Sequence, residues 1–323
     1  MRWLKALAWI LLAVVVVGAA ALTAVWMYRP GMEQYAAHRY RSPATTGALT
    51  ATWFGVTAVL ISDGETSIFI DPFFTRPPGL LNLALNRAIA PDEAEIRRWL
   101  AKAGVERLDA VLVSHSHFDH AMDAGVVARL TAATLMGSTS TANIGRGSGL
   151  AESKIRVITP GEALTLGTLT ITFIESRHAG ATGGQPTGEI GQPLLPPAHY
   201  LDYKLGGAYS LLIERGPRAI LHHGSAGFVP GGLRGRHADV VFLGVAAIDD
   251  LDLYLREVVD TVGAGRVIPT HWDDFTRSLA EPLTPMPVGV RLDRFFDDVA
   301  RLRPRVRVET LALGERVGLD PPD

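Results

Sequence analysis

The chain has 323 residues, 47% hydrophobic and 20% charged, so it is long and apolar enough to bury a sizeable core. Its 31 basic and 33 acidic residues give a formal net charge of −2, and without a global positive field we expect no nucleic-acid partner. The lack of cysteine excludes disulfides, thiolate zinc sites and a cysteine nucleophile. Any metal ion must therefore be held by nitrogen and oxygen ligands.

An uncharged apolar run from Ala6 to Met27 follows Arg2 and Lys5. It is long enough to cross a hydrocarbon core about 30 Å thick. We interpret residues 1–28 as a single-pass membrane anchor rather than a cleaved signal peptide, whose apolar part is only about 7 to 15 residues long. Basic residues flank both ends, so a periplasmic or other extracytoplasmic position for the rest of the chain is favoured only weakly.

After a linker at 29–45, the sequence predicts a globular α/β domain over 46–323. The runs TATWFG, AVLIS and TSIFID indicate a β-meander, and Asp63-Gly64 supplies a tight turn between two of its strands. The segment PDEAEIRRWLAKAG predicts a helix, because it has acidic residues in its first turn, apolar residues at helical spacing and Gly104 past its end. This helix leads into the apolar strand DAVLV.

Later strands are predicted in KIRVIT, LTLGTLTITFIES, AYSLLIE, RAILHH, DVVFLGV and RVIPT, with a helix near LDLYLREVVDTVGA. Most of these strands end in polar or histidine-bearing sequence. Because ligands gather at strand ends in open α/β layouts, four distant histidines are expected to converge: His115, His178, His223 and His271.

The stretch SHSHFDH, Ser114 to His120, follows an apolar strand directly. If a loop begins there, His115 and His117 point to one side, while Asp119 and His120 turn toward a second position. Imidazole is a common ligand of first-row metals and is costly to bury without a partner. The stretch therefore predicts a metal site in which one loop serves two positions.

The HxHxDH pattern after an apolar strand resembles the signature of the metallo-β-lactamase-fold hydrolases. Asp71 in FIDPFF, His178 in ESRHAG and His271 in VIPTHWDDF resemble further motifs of that family. The resemblance covers roughly Thr50 to Phe275. The PTHWDDF and TWFG…IDPFF segments are most similar to the branch that contains ascorbate-phosphate lactonases and N-acyl phosphatidylethanolamine phospholipase D.

This resemblance implies a four-layer αββα sandwich, here preceded by one transmembrane helix. By motif position, His115, His117 and His178 would hold a first metal, and Asp119, His120 and His271 a second, with Asp71 supporting the metal loop. The resemblance implies one or two zinc ions, with manganese or iron as alternatives. A metal-bound hydroxide would attack the substrate, and Asp119 and His120 would be the catalytic residues, with Asp119 orienting that hydroxide.

One position departs from the family pattern. The family usually carries a metal-bridging aspartate in a GD[ST]G turn, whereas here RAILHH leads into GSAG and places Ser225 at that position. A serine hydroxyl is a poor zinc ligand. Only one of His222 and His223 can face the site, because consecutive strand residues point to opposite sides. Either His222 or His223 replaces the aspartate, or one of them is a supporting or core histidine and the other packs outside; the sequence leaves both readings open.

The segment after His178 is rich in glycine and proline and longer than ordinary connections, which predicts a lid or binding loop. Its side chains His199, Tyr200 and Tyr203 either reach a substrate or anchor the loop. A second proline-rich stretch, EPLTPMPVG, is interpreted as another wall of the site. The basic run RLRPRVR is interpreted as an edge strand with a solvated face.

These features together predict a membrane-anchored, metal-dependent hydrolase of an ester or phosphodiester, with a small-molecule or lipid-like substrate. The first alternative is a lactonase acting on a phosphorylated or other small lactone. Iron-dependent oxygen chemistry and a non-catalytic metal-binding module are the others. The sequence does not specify the oligomeric state.

Overall fold

The computed structural model describes residues 2–27, 31–77, 79–180, 186–286 and 290–319. The helices are α1 (Arg2–Met27), α2 (Leu80–Ala84), α3 (Glu93–Lys102), α4 (Phe118–Ala121), α5 (Ala124–Thr131), α6 (Thr139–Gly147), α7 (Leu251–Tyr254) and α8 (Leu292–Leu302). The strands are β1 (Thr50–Trp53), β2 (Val59–Ser62), β3 (Ser67–Ile70), β4 (Ala88–Ile89), β5 (Ala110–Leu112), β6 (Thr134–Gly137), β7 (Ile155–Val157), β8 (Ala163–Leu166), β9 (Leu169–Glu175), β10 (Ala198–His199), β11 (Tyr209–Arg215), β12 (Arg218–His223), β13 (Val240–Gly244), β14 (Arg266–Thr270), β15 (Arg307–Val308) and β16 (Arg316–Gly318).

Within the described residues the first sheet has the order β16-β1-β2-β3-β5-β6-β7. Strands β1, β2 and β3 form the predicted antiparallel meander. Its Asp63-Gly64 turn has Gly64 at φ 93°, a conformation that glycine adopts without strain. From β3 to β7 the strands are parallel, because α3, α5 and α6 each carry the chain back between successive strands.

The second sheet repeats this plan in the order β15-β14-β13-β12-β11-β9-β8, again counted over the described part of the chain. Strands β8, β9, β11 and β12 are antiparallel neighbours, and β12 to β15 are parallel. A small third ladder pairs β4 with β10. The edge strand predicted in RLRPRVR (301–307) is wrong for most of that run, because Arg301 and Leu302 end α8 and a turn follows; only Arg307 lies in β15, the edge strand of this sheet.

Side chains of the first sheet alternate between two cores, as the two-residue period of a strand requires. Ile61 belongs to the core that the two sheets share, together with Leu211 of the second sheet. Leu60, its neighbour in sequence, packs on the opposite face with Trp99 of α3. Because α8 packs against the second sheet through Phe295, the layers run helix, sheet, sheet, helix.

The helix predicted in PDEAEIRRWLAKAG is confirmed as α3. The Asp92 carboxylate accepts a hydrogen bond from the backbone of Glu95 (3.1 Å), which caps the helix start, and Gly104 follows its end at φ 68°. Helices α2, α4, α5, α6 and α8 were not predicted. Helix α6, TSTANIGRG, is poor in strong helix formers, so its packing against β6 stabilises it more than its own propensity does.

The N-terminal helix α1 includes a stretch, Arg2–Ala24, that is long and apolar enough to span a membrane, and none of that stretch is buried. A signal sequence meets the same criterion. The segment predicted as a linker carries two core aromatics, Tyr35 and Tyr40. The Tyr35 ring stacks on Phe296 of α8 (5.2 Å), and the Tyr40 hydroxyl donates to the Gly318 carbonyl (2.7 Å). Residues after Gly31 therefore pack on the globular domain.

Candidate metal centre

The loop after β5 carries four of the predicted ligands. Strand β5 ends at Leu112, and α4 begins at Phe118, so His115 and His117 lie in the intervening loop while Asp119 and His120 lie in the first turn of the helix. All four side chains are buried. A chain reversal of this kind lets residues two to five positions apart face one point.

The structure brings His115 and His117 together with His178, which follows β9. One nitrogen of each imidazole lies within 4.8 Å of the others. The His178 ring lies 5.0 Å from that of His115 and 4.7 Å from that of His117. These three residues form the first triad.

Hydrogen bonds fix which nitrogen each histidine of the first triad presents. His117 Nε2 donates to the Pro186 carbonyl (3.0 Å), and His178 Nδ1 donates to the Ala179 carbonyl (3.1 Å). Nδ1 of His117 and Nε2 of His178 are left for a ligand. His115 Nε2 is buried and has no hydrogen-bond partner.

The second triad consists of Asp119, His120 and His271, whose ligand atoms also lie within 4.8 Å of one another. His271 follows β14, and its Nε2 lies 3.2 Å from Asp119 Oδ2. His120 Nε2 is buried without a hydrogen-bond partner. The rings of His115 and His120 are 3.7 Å apart, so the two triads adjoin.

Asp71 supports this loop from behind, as the resemblance implied. Its carboxylate accepts hydrogen bonds from the Ser114 backbone (2.7 Å) and hydroxyl (2.6 Å), and its Oδ2 lies 2.9 Å from His120 Nδ1. The Thr57 hydroxyl donates to the same oxygen (3.0 Å). Because His120 Nδ1 is bound in this way, Nε2 is the atom that faces the second triad.

The electrostatics favour neutral imidazoles in the first triad and an ionised Asp119 carboxylate in the second. Burial and the neighbouring imidazoles lower the pKa of His115 well below its usual value and that of His178 to about 4. Burial alone raises the pKa of Asp119, but the neighbouring His120 and His271 lower it by a larger amount, so the net shift is downward. For His120, burial lowers the pKa, while Asp119 and Asp71 outweigh it and raise the pKa.

The side chains fit a pair of divalent metal ions. Two buried imidazole nitrogens without partners, on His115 and His120, lie in adjoining triads, which is costly unless something binds there. The donor set of five imidazoles and one carboxylate is typical of zinc and other first-row metals. Neutral imidazole is also the protonation state that metal binding requires.

His223 does not face the triads. Its Nδ1 hydrogen-bonds to the Ser210 hydroxyl (2.7 Å), and its Nε2 donates to the Gly227 carbonyl (2.9 Å), so both nitrogens are engaged. His222, on the other face of β12, donates from Nε2 to the Thr57 carbonyl (2.9 Å). The suggestion that His223 replaces the bridging aspartate is therefore corrected: the pleat of β12 turns it away.

Ser225 uses its hydroxyl to hold the turn after β9. Its Oγ accepts a hydrogen bond from the backbone of Ala179 (2.9 Å), the residue after His178. The Tyr254 hydroxyl donates to the Ser225 carbonyl (3.3 Å). Ser225 therefore acts on the first triad through His178.

The three side chains singled out in the predicted lid, His199, Tyr200 and Tyr203, lie in different surroundings. His199 is exposed, and its Nδ1 donates to the Asn86 carbonyl (2.7 Å), so it anchors the loop and does not join the triads. Tyr203 is buried in the core next to the first sheet. Tyr200 is half-buried against the Phe118 ring (5.2 Å), and burial together with the Asp119 charge raises its pKa. The lid prediction also covers 181–185, and the wall predicted in EPLTPMPVG covers 287–289; both ranges lie outside the described residues.

Sequence reasoning missed several residues that support the site. Thr57 and Pro186 contact His120 and His117, and no local pattern marks either of them. Arg76 and Asp273 form a buried ion pair (2.9 Å) next to the second triad. Arg76 lies two residues after FIDPFF and Asp273 lies within PTHWDDF, so their association with recognised motifs was the available signal.

Comparison with known proteins gives a family match over most of this region. The family model of the beta-lactamase superfamily domain matches residues 66–272. A UPF0173 metal-dependent hydrolase of Myxococcus xanthus is 30% identical over 220 residues, which are 67% of this chain and 67% of that protein. One from Heliobacterium modesticaldum is 25% identical over 70% of this chain and 84% of that protein.

Solved structures share the fold at lower identity. Igni18, a metallo hydrolase from Ignicoccus hospitalis, superimposes with a TM-score of 0.53 at 18% identity, over 85% of this chain and all of that one. CmlA, a diiron β-hydroxylase from Streptomyces venezuelae, gives 0.52 at 18% identity, over 86% of this chain and 55% of that one. At these identities the likeness shows the architecture alone.

Proposed function

Since the chain belongs to the beta-lactamase superfamily and is a metal-dependent hydrolase of the metallo-β-lactamase fold, we propose that it cleaves ester or phosphodiester bonds at a pair of divalent metal ions. The adjoining triads carry this proposal. The first would hold one ion through His115, His117 and His178; the second would hold another through Asp119, His120 and His271. When bound, such ions polarise the bond under attack and lower the pKa of water toward about 7.

The chain's own groups position the reactants. Asp119 is buried and its pKa is lowered, so its carboxylate accepts a hydrogen bond from the attacking water and orients it. Asp71 holds His120, and the Pro186 carbonyl holds His117, so neither ring can turn away from the site. Burial and the Asp119 charge raise the pKa of Tyr200, so it keeps its phenolic proton at neutral pH and would be available to donate a hydrogen bond to a substrate.

Zinc suits these ligands best, with manganese or iron as alternatives. An apolar helix of membrane-spanning length supports a single-pass anchor, with the hydrolase domain on the periplasmic or other extracytoplasmic side. An enzyme held at a bilayer meets amphiphilic molecules at high local concentration, which favours an ester or phosphodiester with an apolar part. Hydrolysis of a lactone by the same groups is the second candidate, since a lactone is an internal ester.

The test uses full-length, zinc-loaded protein with bis(4-nitrophenyl) phosphate, 4-nitrophenyl butyrate and γ-butyrolactone. We expect hydrolysis of the first or second substrate, and its loss in His115→Ala, because removing one ligand weakens metal binding by at least the ~10- to 100-fold typical of outer partners. His237→Ala is the matched control, since that side chain is exposed and bonds to Asp239. Activity retained in His115→Ala would contradict the proposal, and turnover of the lactone alone would support the second candidate.

A further inference from the structure

A pocket of about 210 Å³ adjoins the first triad. Its lining includes His178 itself, together with residues that follow β12 and β13 and residues of α7. His178 presents Nε2 to His115 and His117, because its Nδ1 is bound to the Ala179 carbonyl. A group in this pocket would therefore lie against a residue of the metal centre.

The floor of the pocket is apolar and firmly built. Phe228 stacks on Tyr254 (ring centroids 6.2 Å apart, planes at 20°), and Ile248 and Leu253 complete the floor. Tyr254 is buried, and its hydroxyl donates to the Gly244 carbonyl (3.0 Å), which leaves its ring as the lining surface. These side chains offer dispersion contacts and exclude water, but they offer no hydrogen bond to a polar ligand.

The rim of the pocket carries one basic and two acidic side chains. Arg177 is exposed beside His178, and Asp249 and Asp250 are also exposed. The Asp250 carboxylate also caps α7 by accepting from the Leu253 backbone (3.0 Å). With mixed charge at the rim, the apolar floor sets which group the pocket prefers.

We propose that this pocket binds one compact apolar group of the substrate, such as a single aromatic ring or an alkyl chain of about six to eight carbons, next to the scissile bond. This inference rests on the proposed hydrolase function. A cavity of roughly 150 Å³ holds benzene, and drug-sized ligands need roughly 300 Å³ or more. At about 210 Å³ the pocket is too small for the two chains of a diacyl lipid, so it favours a small ester or phosphodiester with one apolar substituent.

The test measures binding rather than turnover. A series of n-alkylphosphonates from methyl to decyl is titrated calorimetrically into zinc-loaded, full-length protein. The phosphonate is a non-hydrolysable anion for the metal centre, and the alkyl chain reports on the pocket. We expect affinity to rise by up to about fourfold per methylene, as for full burial of each group, until about six to eight carbons, and then to level off.

Two pocket variants sharpen the test. Leu253→Trp fills the pocket, so the octyl-to-methyl affinity ratio should collapse, and Ile248→Trp serves the same purpose if the first variant does not fold. Leu253→Ala enlarges the pocket and should move the plateau to longer chains. Val157→Trp, at an exposed position on β7, is the control, and its ratio should equal that of the parent. Comparing variants in the same detergent cancels any partitioning of the alkyl chains.

The outcomes separate this inference from the function on which it rests. Methylphosphonate binding with no gain along the series, or an unchanged ratio in both filled variants, overturns the pocket assignment and leaves the hydrolase proposal standing. Failure of every phosphonate to bind, together with no turnover of the ester and phosphodiester panel, overturns both.

Discussion

Ser225 stands where the family usually carries an aspartate, and the missing carboxylate changes the formal charge of the metal centre. Five neutral imidazoles and one carboxylate would leave two divalent ions with a formal charge of about +3, and one more carboxylate would reduce it to about +2. We therefore expect the first triad to bind its ion tightly and the second more weakly, unless an anionic substrate completes it.

Replacing Ser225 with Asp should raise affinity at the second position by about 10-fold or more, the minimum expected for a direct carboxylate ligand. The new carboxylate can still accept the Ala179 hydrogen bond that Ser225 accepts now. Ser225→Asn has the same shape without the charge and is the matched control. Metal content after dialysis against a mild chelator is the measurement. If the parent protein retains two metal ions per chain after this dialysis, and Ser225→Asp does not change its metal content, this account is wrong.

Asp123 is a buried carboxyl whose titration should contribute to the pH dependence of folding stability. Its Oδ2 accepts from the Phe74 and Thr75 backbones (2.7 Å each), and Oδ1 has no partner. Burial raises its pKa from 3.8 to about 6. The folded state therefore holds this proton more tightly than the unfolded state. The contribution of protonated Asp123 to the free energy of unfolding is fully present below pH ~4 and is lost as pH rises through about 6.

Asp123→Asn does not titrate, so its stability relative to the parent should increase between pH 4 and pH 7, by up to roughly 3 kcal/mol. Urea unfolding of the metal-free proteins at both pH values measures this difference. Asp297→Asn, at an exposed position of α8, is the control. A parent-to-variant difference that stays constant with pH would refute the assignment.

At the scale of elements, two short turns lock the end of β14 against the loop after β1. Val56 and His271 both have left-handed backbone, φ 45° and 58°. This conformation is strained for Val56 in particular, because its side chain is β-branched. The His271 backbone donates to the Val56 carbonyl (2.8 Å), and Asp273 accepts from the Val56 backbone (2.7 Å). The buried Arg76–Asp273 ion pair holds this arrangement in place.

Arg76→Met should leave the Asp273 charge buried and unpaired, which typically costs about 3–5 kcal/mol of folding free energy. It should also release the second metal before the first, because His271 belongs to the second triad. Urea unfolding and metal content measure both effects. The double variant Arg76→Met/Asp273→Asn removes both charges and should recover part of the stability. Equal loss of both metals in Arg76→Met would show a general loosening instead.

For the whole molecule, the boundary of the folded domain lies earlier than the start of its first strand. Tyr35 and Tyr40 are buried in the hydrophobic core of the globular domain, and Tyr35 stacks on Phe296 of α8, so residues from Met32 onward belong to the domain. Deletion of residues 1–28 should give a soluble protein that still folds and binds metal. Deletion of residues 1–41 removes both aromatics and should lower the melting temperature. A 1–28 deletion that is unfolded, or still membrane-bound, would contradict this division.

The local sequence determined a large part of this protein. The β-rich runs of the first strands, the Asp63-Gly64 turn, and the acidic first turn and following Gly104 of α3 are signals carried by near neighbours in sequence, so each element could be predicted where it occurs. The same holds for the loop from His115 to His120, whose four ligands lie within six residues. Motif resemblance added Asp71, His178 and His271, which the structure brings to the same place.

Tertiary structure decided the side-chain contacts that depend on which strand ends lie next to each other. The pleat of β12 turned His223 toward Ser210, and the β4–β10 pairing put His199 against Asn86 while Tyr200 lies against Phe118. Asp273 contacts Val56 across 217 residues, and no local pattern encodes such a pair. The physical reason is that short-range periodicity fixes the face of an element, whereas the neighbours of that face are fixed only when the two sheets pack and bury their shared core.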